Sequence, residues 1–251
     1  MSDWRPAPRA QSLLLNPSDS YIEETGSEWP AIGTGIIPIV GTARSAKTTL
    51  ALALMEWVTD NTDRPLAFVG MPPSYLDALP QKMKARASTP SINQLAELRD
   101  AVVLLDDTAV ILNARDSSNK RNRVLNRLAG VISHLGLTLI LTSQSMAGVD
   151  IGLVRFTELA PLVKRIDPMA LKVERDAWHE PLEQAQYSLR TIDYDRAYYY
   201  SIGDEMLCKS PYPKWVRDDC LSRPYRYLSQ KDINSLVSGR NPARWCEDEE
   251  E

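Results

Sequence analysis

The nine residues Gly41-Thr42-Ala43-Arg44-Ser45-Ala46-Lys47-Thr48-Thr49 stand between a short apolar run and a helical pattern. They match the phosphate-loop spacing G-x-x-x-x-G-K-[ST] at every fixed position but one, where Ala46 replaces the second glycine. A tight loop of this kind turns successive backbone N–H groups towards a phosphate, and the helix behind it adds the positive end of its dipole. In that arrangement Lys47 neutralises the outer phosphates of ATP and the Thr48 hydroxyl helps to hold Mg2+. Ala46 carries a cost if its backbone is left-handed, roughly 1–2 kcal/mol that a glycine would avoid. The plain alternative is a strand–turn–helix joint with a chance Lys-Thr. The strand before the loop and the amphipathic helix after it weigh against that.

Two acids form the second constellation. Ala101-Val102-Val103-Leu104-Leu105 runs into Asp106-Asp107, a buried strand delivering carboxylates at its end. Asp106 is the candidate Mg2+ ligand, and Asp107 the group that orients or deprotonates an attacking water. Paired acids after a strand also serve as helix caps, but a phosphate loop in the same chain favours the catalytic reading. The following apolar run ends in Thr142-Ser143-Gln144-Ser145. Gln144, whose amide both donates and accepts, is the candidate sensor of the γ-phosphate or the lytic water. Between the acids and that run lie Arg115, Lys120, Arg121, Arg123 and Arg127 against a single Asp116. Arg115 is the candidate arginine finger for a neighbouring subunit. Lys120, Arg121 and Arg123 are candidates for contacting nucleic-acid phosphates in a pore without reading bases. A solvated helix face is the competing reading for most of these cations.

The elements that must position these residues follow from hydrophobic spacing. Ile36–Val40, Leu66–Val69, Ala101–Leu105 and Leu137–Leu141 are short, continuous apolar runs. Leu50, Leu54, Trp57 and Val58 recur at helical spacing, as do Val124, Leu125, Leu128, Val131, Ile132 and Leu135, and Leu95 and Leu98 suggest a short helix. Continuous apolar strands separated by helices predict a parallel sheet covered on both faces, an α/β sandwich. The expected organisation is an N-terminal arm over 1–30, a core over 31–170, a C-terminal extension packing on it over 171–246, and a disordered acidic tail over 247–251. Within the extension, Ala197–Ser201 and Glu205–Cys208 predict a hairpin across Gly203-Asp204.

Taken together, Gly41–Thr49, Leu104-Leu105-Asp106-Asp107, Ala114-Arg115-Asp116-Ser117, Asn119–Arg127, Ser133-His134-Leu135-Gly136-Leu137-Thr138 and Thr142-Ser143-Gln144 resemble the FtsK–HerA superfamily of P-loop ATPases. The likeness is greatest to the small genome-packaging ATPases of membrane-containing viruses and their archaeal relatives, and spans about residues 36–165. It implies a P-loop NTPase fold of the ASCE/RecA-like kind, a three-layer sandwich whose mostly parallel sheet inserts the sensor strand between the Walker A and Walker B strands. It also implies a homo-oligomeric ring, a hexamer being one candidate, that hydrolyses ATP with Mg2+ and drives double-stranded DNA into a capsid. A capsid or membrane-vertex protein is a candidate further partner. Two departures stand out: Ala46 for glycine, and Asp107 where many members carry the longer Glu. Two other functions stay open, a secretion or assembly ATPase extruding a filamentous particle, and an ATP-binding scaffold slowed by Ala46.

Composition bounds these readings. The 251 residues, 43% hydrophobic and 25% charged, suffice for one sizeable core. The formal charge of −4 is owed to the tail Glu247–Glu251, leaving the rest near neutral, which excludes blanket histone-like basicity but not a nucleic-acid partner. Three scattered cysteines (Cys208, Cys220, Cys246) and an opening without the form of a secretory leader suggest a cytoplasmic protein. No run approaches the ~20 apolar residues of a membrane helix. His134 and His179 have no zinc-like spacing and are expected to be structural or surface residues.

Overall fold

The computed structural model describes residues 33–108, 130–149, 161–192, 195–216, 221, 225 and 228–238. The N-terminal arm, the acidic tail and the segment carrying Arg115, Lys120, Arg121 and Arg123 lie outside them, as do Val124, Leu125 and Leu128. Eight strands form one sheet: β1 (Gly35–Val40), β2 (Leu66–Phe68), β3 (Ala87–Ser88), β4 (Val102–Leu105), β5 (Thr138–Ser143), β6 (Leu162–Val163), β7 (Tyr198–Ser201) and β8 (Met206–Lys209). Their order across the sheet is β3-β2-β4-β5-β1-β6-β7-β8. The first six are parallel, while β7 runs against β6 and β8 against β7. The strand bearing Gln144 at its tip, β5, therefore separates the loop strand β1 from the acid strand β4, the order expected of a P-loop NTPase. The hairpin expected after residue 197 is β7–β8, and it extends the same sheet.

Both faces of the central sheet are covered, which is why β1, β2, β4 and β5 read as largely apolar runs. Ile37, Ile39, Val102, Leu104 and Ile140 point to one side, against α1 (Lys47–Asn61). Ile36, Val103, Leu105, Leu139 and Leu141 point to the other, where Ile132 and the C-terminal helix, Gln230–Val237, close a second cluster. A third cluster covers the β6–β7 end, built on Leu182, Ala185 and Leu189 of the helix Asp176–Arg190. These residues form three layers: helix, sheet, helix.

Three local features depart from simple patterning. The helix α1 is not amphipathic. Its residues Leu50–Met55 are all buried, because Tyr75, Leu79 and Met83 after β2 and Val216 and Leu221 of the C-terminal segment join the cluster around it. Val131, expected in an apolar stripe, is 43% exposed, whereas Ile132 beside it is buried. The predicted short helix at Leu95 is a 3-10 turn over Ile92–Glu97, with Leu98 just past its end.

Pro38 sits within β1 although it has no N–H to give a ladder. The N–H groups of Gly35 and Gly41 point towards β5, while that of Thr42 points towards β6. By alternation the missing donor of Pro38 also faces β6, which begins pairing only at Ile39. At the opposite, amino edge, the Arg64 guanidinium donates to the carbonyls of Asp100 at 3.0 Å, Ala101 at 3.1 Å and Gly136 at 2.7 Å. It thereby ties the starts of three strands together, leaving the carboxyl edge to carry the site.

Candidate active site

The loop from Gly41 to Ala46 leaves β1 at the carboxyl edge and enters α1. Its first residue has to be glycine for reasons of space. A Cβ there would lie 2.8 Å from Ser45 Oγ, 2.9 Å from the Arg165 carbonyl oxygen and 2.9 Å from Lys164 Cβ. That closeness lets the Thr42 N–H reach the Arg165 carbonyl at 2.7 Å, pinning the loop to the end of β6. Arg44 and Ala46 are both left-handed, with φ of 62° and 66°. Ala46 is the N-cap of α1 and offers no side-chain cap, so the first-turn N–H groups of the helix are left for a ligand.

Lys47 Nζ reaches back across the loop to donate to the Thr42 carbonyl at 2.8 Å. Burial lowers the pKa of its ammonium, and Asp106 and Asp107 pull it back up. The Ser45 hydroxyl is buried and makes no hydrogen bond among the described residues. A loop with an uncapped helix start, a lysine above it and an unpartnered buried hydroxyl suits a phosphate chain chemically.

Opposite the loop, Thr48 Oγ1 donates to the Asp106 carboxylate, 2.9 Å from Oδ1 and 3.1 Å from Oδ2. Asp106 is almost fully buried at 2% exposure. Burial pushes its pKa up to about 6, against the pull of hydrogen bonds from Thr142 and Thr48. One hydroxyl and one carboxylate side by side form the hard oxygen pair that Mg2+ takes when substrate phosphates complete its shell. The following Asp107 has a left-handed backbone, φ 47°, and burial raises its pKa as well. Its Oδ1 is buried with no hydrogen-bond partner among the described residues.

Between the loop and the acids stands Thr142, a residue the sequence reading passed over. Its hydroxyl donates to Asp106 Oδ1 at 2.6 Å and accepts the Asp107 N–H at 2.7 Å. Its carbonyl accepts from Thr108 Oγ1 at 3.0 Å. Gln144, the favoured sensor, is exposed just beyond the tip of β5. The turn behind it is held by Glu174, whose carboxylate accepts the N–H groups of Met146 at 3.0 Å and Ala147 at 2.9 Å. A buried threonine at the end of an apolar strand could have been suspected from the run Leu137–Thr142, since a hydroxyl there needs a partner. The amide two residues on was the more conspicuous signal.

The structure thus brings together Gly41, Thr42, Ser45, Ala46, Lys47, Thr48, Asp106 and Asp107. Ala43 and Arg44 are exposed on the outer turn of the loop, and Thr49 is buried in α1. His134 and His179 are both exposed.

No protein-family model matches the chain, and no curated protein matches it in sequence. Among solved structures, the DNA-packaging ATPase of Sulfolobus turreted icosahedral virus is similar over 72% of this chain and 99% of its own, with a TM-score of 0.51 and 13% identity. The chain has the P-loop NTPase fold. That likeness agrees with the fold expected from the sequence motifs. The genome-packaging NTPase of Sulfolobus turreted icosahedral virus 2 with ATP-gammaS gives 0.48 at 12% identity, covering 71% of this chain and 97% of that one. The conjugation coupling protein TcpA gives 0.48 at 11%, covering 83% and 66%. No helix among the described residues is long and apolar enough to cross a membrane.

Proposed function

We propose that this protein is an ATP-hydrolysing motor of the FtsK–HerA type, which works as a homo-oligomeric ring and drives double-stranded DNA into a viral capsid. The observation that carries the hydrolytic part is the triple contact at Asp106. Thr48 from the loop helix and Thr142 from the strand between converge on one buried carboxylate, on which the charges of Lys47 and Asp107 also act. In this reading Lys47 and the first-turn N–H groups of α1 bind the β- and γ-phosphates. Thr48 and Asp106 would hold Mg2+, which supplies charge neutralisation on the phosphate oxygens. Asp107 takes the proton of the attacking water, and Gln144 is placed at the strand tip to meet the γ-phosphate once nucleotide closes the site. Arg115 is the cation delivered to a neighbour's site, and Lys120, Arg121 and Arg123 carry the DNA contacts. The packaging role is supported by the likeness in fold to a viral DNA-packaging ATPase and by the motif resemblance.

One observation favours a second reading. The left-handed Ala46 stores strain where the motif has glycine, which suits a scaffold that holds ATP and turns it over slowly. Phosphate release by purified protein separates the two. The motor reading expects multiple turnovers in the parent, none in Lys47→Ala, and retained ATP binding without turnover in Asp107→Asn. A parent that binds ATP and releases no phosphate supports the scaffold, and Asp107→Asn at the parent rate removes Asp107 from the chemistry.

A further inference from the structure

Tyr225 lies far along the chain from the loop and the acids, in the segment that follows the hairpin. Its ring packs against the core clusters on both faces of the sheet, so it lies past a margin of the sheet. The end it occupies is the carboxyl edge: Leu221, four residues before it, is held by Tyr75, in the turn that follows the carboxyl end of β2, the neighbour of the acid strand β4. Tyr75 fixes the same segment. It is fully buried, tilted against Phe68 with ring centroids 5.5 Å apart, and donates its hydroxyl to the Leu221 carbonyl at 3.3 Å.

The phenolic oxygen of Tyr225 is buried and has no hydrogen-bond partner among the described residues, and the same is true of Asp107 Oδ1. Buried polar groups are nearly always paired; Ser45 Oγ, unpaired in the loop at the same edge, is accounted for by the phosphate, which leaves these two to be explained. One is a donor and the other an acceptor, which is the complement a single bridging water satisfies.

We propose that Tyr225 is a positioning residue of the hydrolytic centre, donating its O–H to the water that Asp107 activates. The proposal rests on the ATPase reading above. One lone pair of the water accepts from Tyr225, one of its protons is held by Asp107 Oδ1, and the other lone pair is left to attack the γ-phosphorus. As that O–P bond forms, the bond to the bridging oxygen of ADP breaks and the held proton passes to Asp107. Hydrolysis then depends on the C-terminal segment being docked against the edge of the core, since that segment brings the phenol.

The test is Tyr225→Phe in the full chain, assayed for phosphate release with Mg2+ and ATP alongside a thermal melt. The variant keeps the ring and removes only the hydroxyl. Loss of one such hydrogen bond predicts a kcat about tenfold lower, with KM for ATP within about twofold and Tm unchanged or higher, because a buried polar group has been removed. Parent-like kcat, a changed KM at constant kcat, or a loss of kcat accompanied by a fall in Tm each overturns the assignment. A parent without phosphate release is a different result: the ATPase reading itself fails, and this proposal with it.

Discussion

Asp106 is held in a conflict that a bound Mg2+ would resolve. The protein buries a carboxylate whose pKa is raised to about 6, chiefly by desolvation, and among the described residues two threonine hydroxyls satisfy it. Because the folded-state value lies above the unfolded one, the folded protein binds the extra proton, and stability falls as pH rises through the window from the ordinary carboxylate range to about 6. The cost above that window is about 3 kcal/mol. Asp106→Asn should therefore raise the Tm of the nucleotide-free protein at pH 7.5 and flatten its pH dependence, while erasing the further rise that Mg2+ with ATP gives the parent. Melts with and without nucleotide decide this, and a lower Tm in nucleotide-free Asp106→Asn contradicts it. Thr142 makes the matching case for the strand between. Thr142→Val keeps the shape and deletes a hydrogen bond to a carboxylate, worth about 1.5–3 kcal/mol. The expected result is a kcat lower by about 10- to 100-fold with ATP binding largely kept. A parent-like kcat would leave Thr142 as a packing residue.

At the scale of elements, the loop is where local strain and function meet. Gly41 is required by its close approach to Ser45 and the end of β6, whereas Ala46 is tolerated in a left-handed backbone that glycine adopts freely. Ala46→Gly should add about 1 kcal/mol of stability and leave hydrolysis equal or faster, as read by denaturant unfolding and phosphate release. A large loss of activity would show that the strained backbone is built for this loop. Strands β1, β2, β4 and β5 were legible because burial on both faces makes each a continuous apolar run, whereas β3 and β6, two residues each, were not. Gly41, Lys47 and Thr48 were legible because a phosphate loop constrains residue types at fixed spacing, and Asp106 and Asp107 because they end an apolar run. What escaped was set by tertiary packing. The helix α1 looked amphipathic since nothing local announces that Tyr75, Met83, Val216 and Leu221 join the cluster around it. Thr142 looked like strand, and its role exists only because β4 lies alongside with Asp106 in register beyond Leu105. Tyr225 is separated from the acids by more than a hundred residues, with no motif to join them.

At the scale of the whole molecule, the sheet gathers the candidate nucleotide-binding groups among the described residues at one carboxyl edge and ties strand starts at the other edge through Arg64. A parallel sheet places loop, acids and sensor strand side by side regardless of their distance in sequence, so one subunit can assemble the ground-state site alone. The motor reading asks for two things beyond that: an arginine from a neighbour, assigned to Arg115, and a path for DNA lined by Lys120, Arg121 and Arg123. Contacts of that kind are blind to base sequence and weaken steeply with salt. The direct measurement is phosphate release by the full chain with Mg2+ and ATP, with and without linear double-stranded DNA, across a series of salt concentrations. The account predicts turnover that DNA stimulates at low salt. The stimulation should fade as salt rises and disappear when Lys120, Arg121 and Arg123 are neutralised together, with basal turnover kept. Turnover indifferent to DNA at every salt concentration would contradict the DNA-driving motor.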